Sequence, residues 1–327
     1  MSLPISVMGY ATRPPDRFPN STATNRCYTG CVRRLIINAD DFGLTAGVNR
    51  AIAEAHQRGV VSSATVMANS RAFSDAVDQA RCLLRGNTNF GVGCHVVLLD
   101  GESLLGRDEV HSLLQPGTEN GDQQLRTSLS DFAMAALRGK LNADEIQAEA
   151  MAQMRRIQSA GIRLSHFDTH KHAHMFCAVL QPLLRAARAL EVPAVRNPFG
   201  RLFPLPLSKL LGQGRLWTRF AQMSVLRSFA ARFRAEVSSH GLRTTDGTLG
   251  VLVTGVLDID LFVTIVDSVP QGTWEFVCHP GYNDSDLDQV RTRLRQSRAQ
   301  ELEVLTSPEA KQALERRDIE LISYHQL

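Results

Sequence analysis

Short apolar segments alternate with amphipathic segments along most of the chain, and this alternation constrains the fold more than any other feature. Continuous apolar or β-branched runs are typical of buried strands, and apolar residues at helical spacing are typical of amphipathic helices. A repeated β-then-α order predicts a parallel sheet, and seven or so repeats favour a TIM-like (β/α) barrel with irregular closure over an open doubly wound sheet. The predicted strands lie at about 35–37, 60–68, 90–99, 162–167, 192–195, 250–254, 274–278 and 319–323, and the predicted helices at about 45–59, 71–84, 127–138, 142–160 and 176–190.

Two of the predicted helices begin with capping signals. Thr45 precedes a periodic apolar segment as a candidate N-cap, and Gly59 is the candidate stop. Asn142 is followed three residues later by Glu145, which resembles a capping box. These signals predict where the chain leaves two loops and enters a helix.

The length and charge of the chain limit the classes of function. With 327 residues it is long enough for one large α/β domain or for two smaller ones, and a net charge of +3 does not indicate a nucleic-acid partner. No run of about 18 apolar residues predicts a transmembrane helix. A secretory signal is not evident, and the cysteines are scattered, so we expect a cytoplasmic protein with free thiols.

Two segments differ in composition from the rest. Residues 1–31 are rich in Pro, Ser, Thr, Asn and Arg without periodicity, which predicts a disordered leader before a single barrel domain at 32–327. Residues 200–235 hold seven basic and no acidic residues among many apolar ones, which predicts a basic amphipathic insertion at about 200–240. Such a helix can lie on an anionic membrane surface or cover an apolar substrate, but it can equally be a barrel helix with a solvated basic face.

Polar side chains that can do chemistry occur at the ends of the predicted strands. In a βα barrel these ends meet at one face, and that face carries the active site, so we expect segments distant in sequence to converge there. The residues in question are Asp40 and Asp41 after the first strand, His95 at the end of the third, Asp168 to His174 after the fourth, Arg196 after 192–195, and His279 after 274–278.

The types of these residues fit a metal site with acid–base groups beside it. Of two neighbouring carboxylates, one can bind a cation and the other can take a proton from water, although one of them could instead cap the following helix. His95 is either a ligand or a core histidine. His170, His172 and His174 alternate, and Asp168 could orient a ligating imidazole, although the three histidines could also form an ordinary surface loop.

The ligand set does not by itself name the metal. One Asp and two His suit a site with open positions for water and substrate, and zinc is favoured over magnesium, manganese or cobalt because of the imidazoles. His279 is held at the rim by the Pro280-Gly281 turn, where an imidazole suits a general acid or a bond to a loop carbonyl. Arg196 could bind a substrate hydroxyl or carboxylate, or pair with a structural Asp.

Five motifs in this order carry a family resemblance: IINADDFGLTAGVNRAI, GVGCHVVL, SHFDTHKHAHM, VRNP and FVCHPGYND. Over roughly 33–325 the chain resembles the YdjC/ChbG family of carbohydrate deacetylases. The resemblance implies a TIM-barrel variant with a divalent metal that removes N-acetyl groups from sugars. Its metal-binding positions match Asp41, His95 and His170, its base matches Asp40, and its acid matches His279. The roles of the two aspartates are the ones most open to exchange.

Among subfamilies, the chain is most similar to the hopanoid-associated HpnK type, partly through Thr245-Asp246-Gly247-Thr248. This implies deacetylation of an N-acetylglucosaminyl hopanoid such as bacteriohopanetriol-GlcNAc. Independently, the basic composition of 200–235 suits peripheral contact with the inner membrane surface, and a homodimer is a further possible assembly. Deacetylation of soluble chitooligosaccharides, another metal hydrolase activity (phosphoesterase or amidohydrolase) and a non-catalytic lipid- or sugar-binding barrel remain alternatives. The residues expected to bind substrate are Arg196, Asp168, His172 and Asp246.

Overall fold

The structure is a computed structural model, and it describes residues 32–86, 89–117, 122–200 and 229–327. The predicted leader at 1–31 and most of the predicted insertion at 200–240 lie outside these residues. Within them, seven strands form one sheet. The strands are β1 (Arg33–Phe42), β2 (Ser63–Val66), β3 (Gly91–Val96), β4 (Phe167–Thr169), β5 (Gly247–Leu249), β6 (Gly272–Cys278) and β7 (Ile319–Leu321).

All strand pairs in this sheet are parallel, in the order β4-β3-β2-β1-β6-β5, and β7 also pairs with the first residues of β1. The predicted α/β fold with a parallel sheet is confirmed as a half-barrel. Closure into a complete TIM barrel remains a prediction, because the described residues between β4 and β5 make only isolated bridges. These bridges join Phe167 to Val195, Ala194 to Arg243 and Gly200 to Thr248.

The central strand β1 separates an apolar layer from a polar layer. Leu35, Ile37 and Ala39 pack into the large apolar core together with residues of the surrounding helices. The alternate positions face the other side, since successive side chains of a strand point in opposite directions. There Ile36 packs in a small apolar cluster, and Asn38 donates hydrogen bonds to other polar side chains.

Eleven α-helices connect or follow the strands in the described residues. Their ends follow local capping: Thr45 accepts a hydrogen bond from the Val48 N–H, as predicted. Asn142 also caps its helix, but Glu145 does not complete the box and accepts from the Ser112 N–H instead. The helices are α1 (Ala46–Gln57), α2 (Phe73–Gly86), α3 (Arg107–Val110), α4 (Leu129–Leu137), α5 (Ala143–Ser159), α6 (Cys177–Ala189), α7 (Ala230–Ser239), α8 (Ile259–Asp267), α9 (Ser285–Asp288), α10 (Gln296–Thr306) and α11 (Pro308–Arg316).

The predicted strand at 250–254 is wrong. Val251–Val253 forms a short 3₁₀ helix, and the strand is the preceding segment, β5. Gly250 lies between the two with a φ of 90°, a left-handed conformation that turns the chain out of the sheet. The prediction placed the strand on an apolar β-branched run, but Gly250 ends the strand before this run begins. Among the described residues, no helix combines the length and the apolar character needed to cross a bilayer.

Substituting Gly93 by Ala should destabilise the fold by about 1–3 kcal/mol, a typical cost of overpacking. A Cβ at this position in β3 would lie 2.5 Å from Cε1 of His166. The His166 ring cannot move away easily, because it is stacked on Tyr324 and hydrogen-bonded to Ser165 and Asn38. The free energy of unfolding would be measured by denaturant titration.

Gly86→Ala is the matched control for this substitution. Gly86 is the last residue of α2, and a Cβ there has no heavy atom within 4 Å. The control should leave stability unchanged or slightly raised, since alanine is the better helix former. Equal stability of the two variants would contradict the packing described for the inner face of β3.

Candidate active site

The predicted site residues come together at the carboxyl ends of the strands. Asp40 and Asp41 lie near the end of β1, and His95 lies near the end of β3. His170 directly follows β4, and His279 directly follows β6. Because the strands are parallel and adjacent, these ends share one edge of the sheet, which brings the four segments into contact.

An irregularity in β1 allows two consecutive aspartates to serve the same site. The pairing of β1 with β2 shifts between Ala39 and Phe42, so that β1 has one more residue than its partner there. Asp41, within this bulge, has a φ of 67°. In a regular strand neighbouring side chains point to opposite faces, and a bulge redirects one of them. Asp40 and Asp41 are therefore both buried in the same cluster.

Asp41, His95 and His170 form a triad with the geometry of a cation site. Oδ1 of Asp41 lies 3.5 Å from Nε2 of His95 and 3.6 Å from Nδ1 of His170, and the two imidazole nitrogens are 3.3 Å apart. Bonds of about 2.0–2.2 Å from zinc to nitrogen or oxygen ligands separate neighbouring ligand atoms by distances of this order. One carboxylate and two imidazoles leave positions open for water and substrate, so the residues present fit a divalent metal.

Neighbouring side chains hold two of the three ligands in place. Nδ1 of His95 donates to Oδ1 of Asp168 at 2.7 Å, which leaves Nε2 directed at Asp41 and His170. Nη2 of Arg298 donates to Oδ2 of Asp41 at 2.5 Å. A carboxylate behind a ligating imidazole is a common partner in metal sites, where it sets the orientation and basicity of the ring.

The surroundings of His95 favour a positive charge on its imidazole ring. Burial lowers the pKa of His95, but Asp168 and the other nearby carboxylates raise it more strongly, to about 9. In the absence of a cation the ring therefore carries a proton at neutral pH. A bound metal ion would replace that proton, so metal binding at His95 is coupled to proton release.

Asp40 is held by Arg196 beside the triad. Nη1 and Nη2 of Arg196 donate to the two carboxylate oxygens of Asp40 at 2.7 and 2.6 Å. Burial raises the pKa of Asp40, but the Arg196 guanidinium outweighs this effect and keeps the pKa well below its ordinary value. Asp40 is therefore ionised throughout the physiological pH range.

His279 faces Asp40 from β6. Its Nε2 lies 3.9 Å from Oδ2 of Asp40. Its backbone N–H donates to Oε2 of Glu301 at 2.6 Å, and Nδ1 lies 4.0 Å from the same oxygen. Glu301 in α10 thus fixes the turn that carries the imidazole, and it lies on the side of the ring away from Asp40.

A second group of possible ligands, Asp40, His95 and Asp168, does not fit a cation. The Arg196 guanidinium already contacts both carboxylates of this group, with Nη1 at 2.5 Å from Oδ2 of Asp168. A metal ion there would lie against a buried positive charge, which is electrostatically unfavourable.

The structure separates the residues expected to bind substrate. Arg196 and Asp168 are fully buried and form an ion pair with each other beneath the cluster. Of the two predictions for Arg196, pairing with a structural Asp therefore fits the structure better than contact with substrate. His172 lies near the cluster. Burial, followed by repulsion from Arg196, lowers its pKa to about 3, and its Nδ1 has no hydrogen-bond partner among the described residues. Asp246 is not brought to the site, because it accepts from the Thr273 N–H at the beginning of β6, away from His279.

Several residues of the site were missed by sequence reasoning. Arg298 and Glu301 are three residues apart and therefore lie on one face of α10, where they contact Asp41 and His279 respectively. This spacing of an Arg and a Glu is common on exposed helices, so only their burial marks them as special. The other missed residues beneath the cluster are Asn38, Thr65, His166, Glu275 and Tyr324.

Strained backbone is concentrated around the same cluster. Of the six non-glycine residues with positive φ in the described part of the chain, four lie at or next to the triad: Asp41, Asp100, Lys171 and His172. Lys171 donates to Asp100 at 2.5 Å, which ties the loop after β4 to the loop after β3. Conformations of this kind cost of order 1–3 kcal/mol each and are typical of functional sites.

Comparison with known proteins identifies the family of the chain. The sequence profile of the YdjC-like protein family matches residues 34–316, which is most of the chain. The chain belongs to the YdjC-like family. Two relatives described as carbohydrate deacetylases, from Brevibacillus brevis and Geobacillus stearothermophilus, are each 32% identical; the matches cover 90% of this chain and 99% and 98% of theirs.

A solved structure supports the family fold. A protein from Enterococcus faecalis, described as a cellobiose-phosphate cleavage protein, superimposes with a TM-score of 0.70 at 27% identity. The match covers 90% of this chain and 98% of that one. The fold of this chain is therefore shared across nearly the whole length of that protein.

Zinc should bind with a stoichiometry of one per chain, and His170→Ala should weaken the binding at least ~100-fold, since even loss of a residue that orients a ligand costs about 10–100-fold. His111→Ala is the control, because His111 is exposed and belongs to neither group of possible ligands. Competition with a chelating dye and metal analysis after dialysis would measure both quantities. Equal affinity of the two variants would remove His170 from the ligand set.

Proposed function

We propose that the protein is a metal-dependent N-deacetylase that hydrolyses the acetamide group of a sugar containing N-acetylglucosamine. The observation that carries this proposal is the arrangement of the cluster. A candidate metal triad (Asp41, His95 and His170) lies beside an ionised carboxylate and an imidazole that face each other, Asp40 and His279. These are the groups that amide hydrolysis requires: an electrophilic centre, a base and an acid.

Asp41, His95 and His170 would hold a divalent cation, with zinc favoured by the two imidazoles. The cation would supply polarisation of the acetamide carbonyl and a lower pKa for a nucleophilic water. The side chains position the remaining groups. Arg196 keeps Asp40 ionised and fixes both of its oxygens, so that the carboxylate can accept a proton from the attacking water.

His279 suits the second proton transfer. As the C–N bond breaks, the departing amine nitrogen needs a proton, and the His279 imidazole is the titratable group opposite Asp40. Its side chain is partly exposed, at 14%, so it is accessible to a substrate entering from solvent. Asp40 and His279 therefore have the roles of base and acid, and acetate and the free amine are the products.

The relatives support a sugar substrate. Two proteins that match nearly end to end are described as carbohydrate deacetylases, and we extend that activity to this chain. A non-catalytic binding barrel would not need an ionised carboxylate opposite an imidazole. A metal phosphoesterase or amidohydrolase could use the same ligands, and acetate release distinguishes the deacetylase from these enzymes.

For the natural substrate we propose an N-acetylglucosaminyl hopanoid such as bacteriohopanetriol-GlcNAc, on the basis of the HpnK-like motifs in the sequence. Soluble chitooligosaccharides are the second candidate. The basic segment at 200–235 would then contact the inner membrane surface from the cytoplasm, where the lipid part of a glycolipid substrate lies. Most of this segment, 201–228, lies outside the described residues, so the proposal for it rests on its composition.

The activity can be tested by acetate release from a panel of compounds. The purified protein should release acetate from GlcNAc-containing glycolipids and chitooligosaccharides, and should release no phosphate from phosphoesters. Chelation should abolish acetate release, and added zinc should restore it. A higher kcat/KM for the glycolipids would support the hopanoid proposal, whereas a preference for chitooligosaccharides would favour the second candidate. Phosphate release without acetate release would refute the deacetylase proposal.

Replacing Asp40 by Asn should lower kcat at least ~100-fold, in line with the loss of a general base, while the bound metal remains. The amide keeps the size of the side chain but cannot take the proton. The control is Asp267→Asn, since the side chain of Asp267 is exposed and pairs with Arg316 and Arg317 at the surface. If kcat stays within about threefold of wild type in the Asp40 variant, or if the metal is lost, the base assignment is wrong.

A further inference from the structure

Tyr324 is distant in sequence from most residues of the cluster. Its side chain contacts two residues that lie beneath the cluster, Glu275 and His166. Its side chain is fully buried. The hydroxyl donates to Oε2 of Glu275 at 2.6 Å, and the ring stacks on the imidazole of His166 with centroids 3.6 Å apart and planes 8° apart. One side chain therefore supports two different partners, one through its hydroxyl and one through its ring.

The first partner leads to Asp40 through Arg196. Oε1 of Glu275 accepts from Nε of Arg196 at 2.8 Å, and the far edge of the same guanidinium donates to both oxygens of Asp40. The position of Arg196 therefore depends on Glu275 on one side and on Asp40 and Asp168 on the other. Within the described residues, Tyr324 is the hydroxyl donor that approaches Glu275 most closely, since Thr248 lies at 3.5 Å.

The second partner leads to Asp40 through Asn38. Nε2 of His166 lies 3.1 Å from Oδ1 of Asn38, and Nδ2 of Asn38 donates to Oδ1 of Asp40 at 3.0 Å. Burial lowers the pKa of His166 well below its ordinary value, so the ring is neutral and can donate from this nitrogen. The contacts from Tyr324 thus close into a ring that begins and ends at Tyr324 and passes through Asp40.

We propose that Tyr324 is a positioning residue for the reaction, which holds the Asp40 carboxylate in its working orientation through Glu275 and Arg196 on one side and through His166 and Asn38 on the other. This inference rests on the proposed function for its kinetic consequence. Its structural part, the fixing of Arg196 by Tyr324 through Glu275, can be tested without any substrate.

The hydroxyl branch has a specific electrostatic role. Burial raises the pKa of Glu275, and Arg196 offsets this only in part, so the pKa is about 7. Donation from the Tyr324 hydroxyl favours the ionised form of Glu275, which is the form that holds Arg196 by charge. Removing the hydroxyl favours the neutral form and weakens one of the three carboxylate contacts that fix the guanidinium.

Tyr324→Phe is the main test, because it keeps the stacked ring and removes only the hydroxyl. We expect kcat to fall about tenfold, in the range seen for residues that orient active-site groups, with KM within twofold of wild type and metal content unchanged. His325→Ala, at the exposed neighbouring position, is the control and should keep wild-type kinetics. Tyr324→Leu, which loses both branches, should be slower than the Phe variant.

A double variant separates positioning from general stability. If Tyr324 acts through Glu275, then Tyr324→Phe combined with Glu275→Gln should be no slower than Glu275→Gln alone, whereas independent effects would multiply. A kcat within twofold of wild type for Tyr324→Phe, a loss confined to KM, or multiplicative effects in the double variant would each overturn the proposal.

NMR of arginine side chains makes the test independent of the proposed reaction. The Nε–H of Arg196 should give a protected signal in the wild-type protein, and Tyr324→Phe should broaden it or speed its hydrogen exchange at least tenfold. The signal of Arg298, which is held by Asp41, should not change. An unchanged Arg196 signal overturns the inference even if the protein deacetylates no sugar, whereas an inactive wild type with the expected NMR change contradicts only the proposed function.

Discussion

The buried guanidinium of Arg196 is the interaction on which the arrangement of the cluster depends. It contacts Asp40, Asp168 and Glu275 within 2.5–2.8 Å, and all four side chains are buried. Isolated burial of any one of these charges would be very unfavourable, so each requires the others to be in place. Because Asp168 also holds His95, one cation fixes both the candidate base and a candidate metal ligand. The planar fork of arginine suits this task, and lysine could not replace it.

The interior of the half-barrel differs from the apolar filling typical of βα barrels. The helices bury the outer face of the sheet in an ordinary apolar core, whereas the inner face holds a small apolar cluster around Ile36 and, toward the carboxyl ends of the strands, the polar side chains of the site. The bulge in β1 brings Asp40 and Asp41 together at the end of that face. The polar side chains of the interior are thus continuous with those of the site. Contacts among the interior side chains fix the geometry of the reacting groups.

The sequence predicted the elements that carry local signals and missed those that depend on distant partners. Apolar runs and capping residues indicated most strands and helices, and polar residues at strand ends indicated where the site lies. The family resemblance then selected Asp41, His95 and His170, whose candidate ligand atoms the structure places within 4.8 Å of one another. The strand at 250–254 was wrong because a glycine turn, rather than β-branched residues, decides where β5 ends. Arg298 and Tyr324 carry no local signal, since their role comes from contacts with Asp41, Glu275 and His166, each at least 49 residues away in the sequence.

The balance of buried charge gives an independent reason to expect a cation. Within the described residues, five buried carboxylates (Asp40, Asp41, Asp168, Glu275 and Glu301) surround the site, together with two buried guanidiniums, those of Arg196 and Arg298. Burial lowers the pKa of His95, but the nearby carboxylates, Asp168 foremost, raise it more strongly; burial is the main cause of the raised pKa of Glu275, with smaller contributions from Asp40 and Asp168. A divalent ion at the triad would reduce the repulsion among these carboxylates. Arg196 and Arg298 thus hold in place some of the same carboxylates whose negative charge favours a metal ion.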